Sequence, residues 1–210
     1  MSDGQLPPTN APESTTVKPT KAPEPWWLEV AKTLGLAAVL AFGIRTFVAE
    51  ARYIPTGSME ETLLINDRLI IEKISYYFHP PRRGDIIVFN PTPALQEAGF
   101  RDAFIKRVVG LPGDRVELRQ GRVYVNNQPL QEPYLSPATF TTIDTCAGLQ
   151  PYLAQPQVIP ANSYLVLGDN RNNSFDGRCW GVVPRSYVIG RAALRFWPLD
   201  RWGSIPDPQN

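Results

Sequence analysis

The chain has one histidine, His79, in 210 residues, and two cysteines, Cys146 and Cys179. Each scarcity excludes something. With no CxxC pair and no Cys/His cluster, nothing points to a metal or another cofactor. A serine hydrolase commonly uses an imidazole as its proton acceptor. Here the single imidazole lies in His79-Pro80-Pro81-Arg82-Arg83, which reads as an exposed turn. If a serine does chemistry in this chain, a lysine deprived of water is the next chemical option. Excess charge is also missing. The 21 Lys and Arg offset the 20 Asp and Glu to a net +1. A near-neutral chain lacks the electrostatic footprint of a nucleic-acid binder. No internal repeat is visible, and the strictly uncharged run Thr33 to Ile44 spans 12 residues, short of the roughly 20 of a comfortable membrane span.

Proline is abundant, at 22, beside 15 glycines. That balance favours strands and loops over a helical bundle. Residues 1–25 place six prolines among Ser, Thr, Lys and Glu and read as a disordered tail. From Trp26 to Val48 the chain turns apolar, and as a helix this stretch would measure about 34 Å, enough to cross a hydrocarbon core of about 30 Å. A buried core helix, a cleavable signal peptide and a membrane anchor all compete for it. Ala49-Glu50-Ala51 mimics a small-x-small cleavage site, but the long preceding tail and Arg45 speak against cleavage. Lys32 and Arg45 near opposite ends, with Trp26 and Trp27 at one flank, favour the anchor. Lys18, Lys21 and Lys32 marginally outweigh Arg45 and Arg52, which favours a cytoplasmic tail. Cys146 and Cys179 could be paired in an extracytoplasmic domain or free in a cytosolic one.

Beyond the anchor, short β-rich runs alternate with turns. Strands are expected at Arg68 to Ile74, Asp85 to Phe89, Phe104 to Val109, Tyr164 to Leu167 and Arg191 to Trp197. Arg115 to Leu118 and Arg122 to Val125, joined at Gln120-Gly121 and followed by Asn126-Asn127, should form a hairpin. Ser136 to Ile159 shows no period. The expected fold is mainly β, an antiparallel catalytic domain over 49–203, with the tail 1–25, the helix 26–48 and a C-terminal tail 204–210.

Three clusters of residues could carry chemistry. Ser58-Met59-Glu60-Glu61 fits the S-x-x-E capping box of a helix start. The preceding Pro55, Thr56 and Gly57 also suit a sharp turn that projects a hydroxyl and leaves the Ser58 amide free for an oxyanion. Lys106 would ordinarily be a solvated strand charge. Alternation puts Phe104, Lys106 and Val108 on one face and Ile105, Arg107 and Val109 on the other, so one of the two basic residues should point inward. A lysine buried among apolar groups favours its neutral amine, whereas a guanidinium stays protonated. Gly168 to Arg178 is a polar loop at the end of an apolar strand, in which Ser174 could orient the amine and Asp176 could pair with Arg178 as structural support.

Taken together, Ile54 to Leu63, Lys106 to Asp114 and Gly168 to Arg178 closely resemble, in order and spacing, three signature boxes of bacterial type I signal peptidases. The resemblance spans roughly residues 26–200. It implies a membrane-anchored Ser–Lys endopeptidase that removes signal peptides from translocated preproteins, with the lipid bilayer and those preproteins as partners and no nucleic acid. By the same resemblance Ser58 is the nucleophile, Lys106 the general base and Ser174 the residue that orients it. The Ser58 amide and the Thr56 hydroxyl, where the family more often has serine, form the oxyanion hole. Asp176 and Arg178 are the supporting pair. Ile54, Pro55, Met59, Leu63, Phe104 and Ile105 line small apolar pockets, implying Ala-x-Ala before the cut. Glu61 stands where proline is common, and Gly177 where serine is. The implied topology is single-pass with a cytoplasmic N-terminus, in the cell membrane or an internal membrane such as the thylakoid. A self-cleaving repressor-type protease would need a DNA-binding domain that is absent from the pattern. A membrane-anchored scaffold without activity would leave Ser58 a cap and Lys106 a surface charge.

Overall fold

A computed structural model describes residues 25–206, apart from 147 and 149. The expected tail therefore lies, but for Pro25, outside the described residues. The described residues divide into two compact units, one up to Val39 and one from Leu40 onward. Helix α1 (Trp26–Gly43) buries none of its residues and continues as a wider π-type stretch over Ile44–Val48. The whole Trp26–Val48 segment has a mean hydropathy of 1.6 and is long and apolar enough to cross a membrane.

Strand β1 (Ala49–Tyr53) begins directly after it and pairs with β2 (Arg68–Glu72). The sequence gives β1 no alternation to be recognised by, because it is an edge strand with no buried residue. The short helix α2 (Ser75–Phe78) leads to β3 (Ile86–Phe89), and α3 (Pro93–Glu97) to β4 (Phe104–Gly110). Strands β5 (Arg115–Arg119) and β6 (Arg122–Val125) form the expected hairpin, which β7 (Gln128–Pro129) extends. Positive φ at Gln120, Gly121, Asn126 and Asn127 explains both turns, since two successive left-handed residues match the twist of the strands they connect. Among its described residues the excursion 136–159 holds two short 3-10 turns, and it ends in β8 (Gln157–Val158). Strand β9 (Ser163–Leu167), helix α4 (Gly177–Trp180), β10 (Val182–Pro184), β11 (Val188–Trp197) and β12 (Gly203–Ser204) complete the described chain. Ser204 pairs with Leu194, and the Ile205 amide donates to the Ala193 carbonyl, so pairing extends past the boundary expected at residue 203.

The main sheet runs β1-β2-β11-β3-β4-β9-β10, with β12 added beside β11, and a smaller sheet runs β7-β6-β5-β8. Every pairing is antiparallel. Strands β3 and β9 are buried at every residue, which is why Ile86 to Phe89 and Tyr164 to Leu167 read as unbroken apolar runs. On β3, Ile86 and Val88 enter one core with Ile54, Met59, Leu63, Leu69 and Ile71, while Ile87 and Phe89 enter another with Val108, Tyr164 and Val166. Strand β4, between β3 and β9, is buried at every residue from Lys106 to Gly110. Lys106 and Arg107 are therefore both buried, correcting the expectation that only one would turn inward.

Cys146 and Cys179 form a disulfide across 33 residues, tying the turn Asp144–Cys146 to α4.

Candidate active site

The Ser58 turn does not form the capping box. Gly57–Met59 is a single 3-10 turn, Thr56 at its start makes no side-chain cap, and Glu61 adopts φ 87°, which ends any helix there. The Glu61 carboxylate instead accepts from the Ser136 amide. Ser58 is thereby left half-buried at the mouth of a cavity that Thr56, Lys106, Phe104 and Phe175 also line.

Strand β4 carries Lys106 to this turn. Its Nζ lies 2.8 Å from Ser58 Oγ and 2.9 Å from the Ile105 carbonyl, with the Phe104 ring 5.5 Å away. The residue is 3% exposed. Burial lowers the amine from 10.5 to about 8, against the opposing pull of Asp176 and Asp169. Burial wins because each carboxylate already has an arginine. Asp176 takes Arg178 through Nε at 2.8 Å and Nη2 at 2.9 Å, both residues being fully buried. Asp169 takes Arg107 through Nε at 2.8 Å and Nη2 at 2.6 Å. An amine near pH 8 can accept a hydroxyl proton, and a 2.8 Å contact lets Ser58 Oγ–H donate to it.

The remaining expected residues fall into three groups. Asp176 and Arg178 pair as expected. Asp176 also accepts from the Gly168 amide, and Arg178 reaches the Ser174 and Thr142 carbonyls, so the pair fastens the end of β9 to α4 and the excursion. Ser174 Oγ is buried without a hydrogen-bond partner among the described residues, so the expected bond to Lys106 is not made. Ser174 nonetheless lies close behind Ser58: a Cβ on Gly168 would meet Ser174 Oγ at 2.1 Å and the Ser58 carbonyl at 2.4 Å. Pro55, Phe104 and Ile105 line the cavity of about 660 Å³, and with Ile54 they line a neighbouring one of about 220 Å³. Met59 and Leu63 line neither. Both are fully buried in the core behind the Ser58 turn, because a turn that exposes its serine must anchor its apolar neighbours inward.

Several site residues were not anticipated. Phe100, Ala103, Asn173 and Phe175 add to the cavity wall. Tyr134 stacks on the Arg107 guanidinium at 3.8 Å, and Thr62 donates to Asp169 at 2.6 Å. Arg171 pairs with Glu132 and donates to Thr141 and the Gly168 carbonyl. Sequence alternation around Arg107 was the one available signal, since a buried guanidinium demands a carboxylate. His79 caps the end of α2 edge-on to Tyr76 and lines neither cavity. Among the described residues no group of three or more His, Cys, Asp or Glu could hold a metal ion.

Residues 27–197 match the family described as signal peptidase, peptidase S26. The chain belongs to that family. Signal peptidase I of Leptolyngbya laminosa is 54% identical over 99% of this chain and 97% of its own. The probable signal peptidase I-2 of Synechocystis sp. is 54% identical over 94% of this chain and 86% of its own. The probable thylakoidal processing peptidase 2 of Arabidopsis thaliana is 38% identical over 84% of this chain and 46% of its own. In this signal peptidase, the three segments that resembled the family's boxes meet at one cavity: Ser58 from the first, Lys106 from the second, and the Gly168 to Arg178 loop behind both. The lysine of a scaffold protein would stand in solvent, and Lys106 does not.

Proposed function

We propose that this signal peptidase cuts preproteins after Ala-x-Ala by a Ser58–Lys106 dyad. The single observation that carries the reading is the 2.8 Å contact of a buried, pKa-lowered amine with the Ser58 hydroxyl. The substrate lies extended along the Ile54 to Thr56 segment, adding a strand to the domain. Side chains two residues apart share a face of that strand, and small ones fit the pockets beside Pro55, Phe104 and Ile105.

Neutral Lys106 accepts the Ser58 proton as Oγ bonds to the scissile carbonyl carbon. The carbonyl oxygen becomes an oxyanion held by the Ser58 amide and the Thr56 hydroxyl, each such donor being worth about 2.7–4 kcal/mol in related chemistry. Ser174, with its hydroxyl uncommitted, accepts from the ammonium once Lys106 is charged. The ammonium then returns its proton to the leaving amine as the peptide bond breaks. A water molecule, deprotonated by the regenerated amine, attacks the acyl carbon, and the ammonium protonates Ser58 Oγ as the ester bond breaks and the signal peptide leaves.

Trp26–Val48 anchors the protein in a membrane with its N-terminus cytoplasmic and the catalytic domain on the far side. The Cys146–Cys179 disulfide supports that side, since such bonds persist in oxidising compartments. The test is incubation of the detergent-solubilised protein with a precursor bearing Ala-x-Ala. Wild type is expected to release the mature protein and Ser58→Ala to leave it uncut; cleavage by Ser58→Ala would refute the dyad.

A further inference from the structure

An oxyanion donor works only if its N–H points where charge will develop. The Ser58 amide belongs to the peptide unit that also contains the Gly57 carbonyl. That unit is planar and trans, so its C=O and N–H point in opposite directions. Whatever holds the Gly57 oxygen therefore aims the Ser58 N–H. Two groups hold it. The Glu60 amide donates to it at 3.0 Å within the turn, and the Asn170 side-chain Nδ2 donates to it at 3.0 Å from another part of the chain. Asn170 also acts on the next peptide unit, its backbone N–H reaching the Ser58 carbonyl at 3.2 Å. Both peptide planes flanking the Ser58 Cα are thus tied to one residue.

Asn170 is itself oriented. Its Nδ2 sits 3.1 Å from a Glu60 carboxylate oxygen as well as facing the Gly57 carbonyl. Two acceptors on that side require the NH2 end of the amide there. Glu60 is packed over Gly57, where a Cβ would lie 2.5 Å from its carboxylate. The Ser58 amide, as a leading N–H of a 3-10 turn, has no acceptor inside that turn, so it stays available to a substrate.

We infer that Asn170, oriented by Glu60, is a positioning residue that aims the Ser58 N–H into the oxyanion hole by holding the Gly57 carbonyl. This rests on the proposed role of Ser58 as nucleophile and amide donor. Asn170 lines neither cavity beside Ser58. Its loss should leave substrate binding intact and weaken only what forms in the transition state.

The test uses full-length, detergent-solubilised enzyme, comparing wild type with Asn170→Ala, Asn170→Asp, Glu60→Gln and Ser58→Ala. Cleavage of an Ala-x-Ala precursor gives kcat and KM. Affinity is measured for a peptide aldehyde ending in Ala-x-Ala, whose hemiacetal with Ser58 places an oxygen in the hole, and for the matching product peptide, which does not. Asn170→Ala is expected to lower kcat about tenfold to a hundredfold, less than full loss of a donor, with KM within about twofold. Aldehyde affinity should fall by the same factor, while product-peptide affinity and the pH midpoint of activity stay put. Asn170→Asp should be worse, because its carboxylate would face the carboxylate of Glu60, and Glu60→Gln should be mild, since its amide oxygen still accepts. Should Asn170→Asp not fold, Asn170→Ala carries the comparison. Unchanged kcat and aldehyde affinity in Asn170→Ala beside an inactive Ser58→Ala would overturn this inference alone, as would equal weakening of aldehyde and product peptide. Cleavage surviving in Ser58→Ala would overturn the dyad and this inference with it.

Discussion

Burying an ionisable amine should leave a measurable mark on stability. Lys106 has a pKa lowered from 10.5 to about 8 by burial. One pKa unit corresponds to about 1.4 kcal/mol, so 2.5 units correspond to a penalty of about 3 kcal/mol on the folded state at neutral pH. The sign follows from proton counting. Between pH 8 and 10.5 the unfolded chain holds the lysine proton and the folded chain does not, so this group makes stability rise with pH across that window. Below pH 8 both states are protonated and the full penalty applies. Lys106→Met keeps a similar volume and removes the titration. The variant should therefore be more stable than wild type at pH 7 by up to about 3 kcal/mol, a melting shift of roughly 6–12 °C for a domain of this size. The gap should close as pH approaches 10.5. Thermal melts of both proteins in the same detergent between pH 7 and 10.5 provide the comparison. A difference that does not vary with pH, or a wild type more stable than the variant at pH 7, would refute the reasoning.

Gly168→Ala would drive a Cβ to 2.4 Å from the Ser58 carbonyl, and since a displacement of about 1 Å in a site can cost a hundredfold, cleavage should fall by about that factor or more. Wild-type turnover in that variant would contradict the packing. Replacing Cys146 and Cys179 together by Ser opens a 33-residue loop, and loop entropy predicts a loss of about 3–4 kcal/mol, readable by urea unfolding. His79→Ala should retain kcat/KM within about twofold, because His79 lines neither cavity and the proposed base is the Lys106 amine; a large loss would revive an imidazole mechanism.

The strands most legible in the sequence were those whose chemistry is local. Ile86 to Phe89 and Tyr164 to Leu167 are apolar at every position because both faces are covered, and the left-handed pairs at Gln120-Gly121 and Asn126-Asn127 made the hairpin readable. Strand β1 was hidden because an exposed edge needs no pattern. Alternation failed at Lys106 and Arg107 because it assumes one face in solvent, and from Lys106 to Gly110 every residue of β4 is buried. Ser58 and Lys106 were legible as a pair only through resemblance, since 48 residues separate them. The partners of Arg107 and Arg171 were not, because Asp169 and Glu132 lie 62 and 39 residues away and nothing local marks the pairing. Met59 and Leu63 look like pocket residues by type, but the turn at Ser58 fixes which side of it they occupy.

The most direct measurement is the titration of the Lys106 amine itself, followed by NMR on protein with labelled lysine and assigned by the missing signal in Lys106→Met. A midpoint near 8 is predicted. A midpoint near 10.5, that of an ordinary solvated lysine, would contradict the proposal that this amine is the base for Ser58.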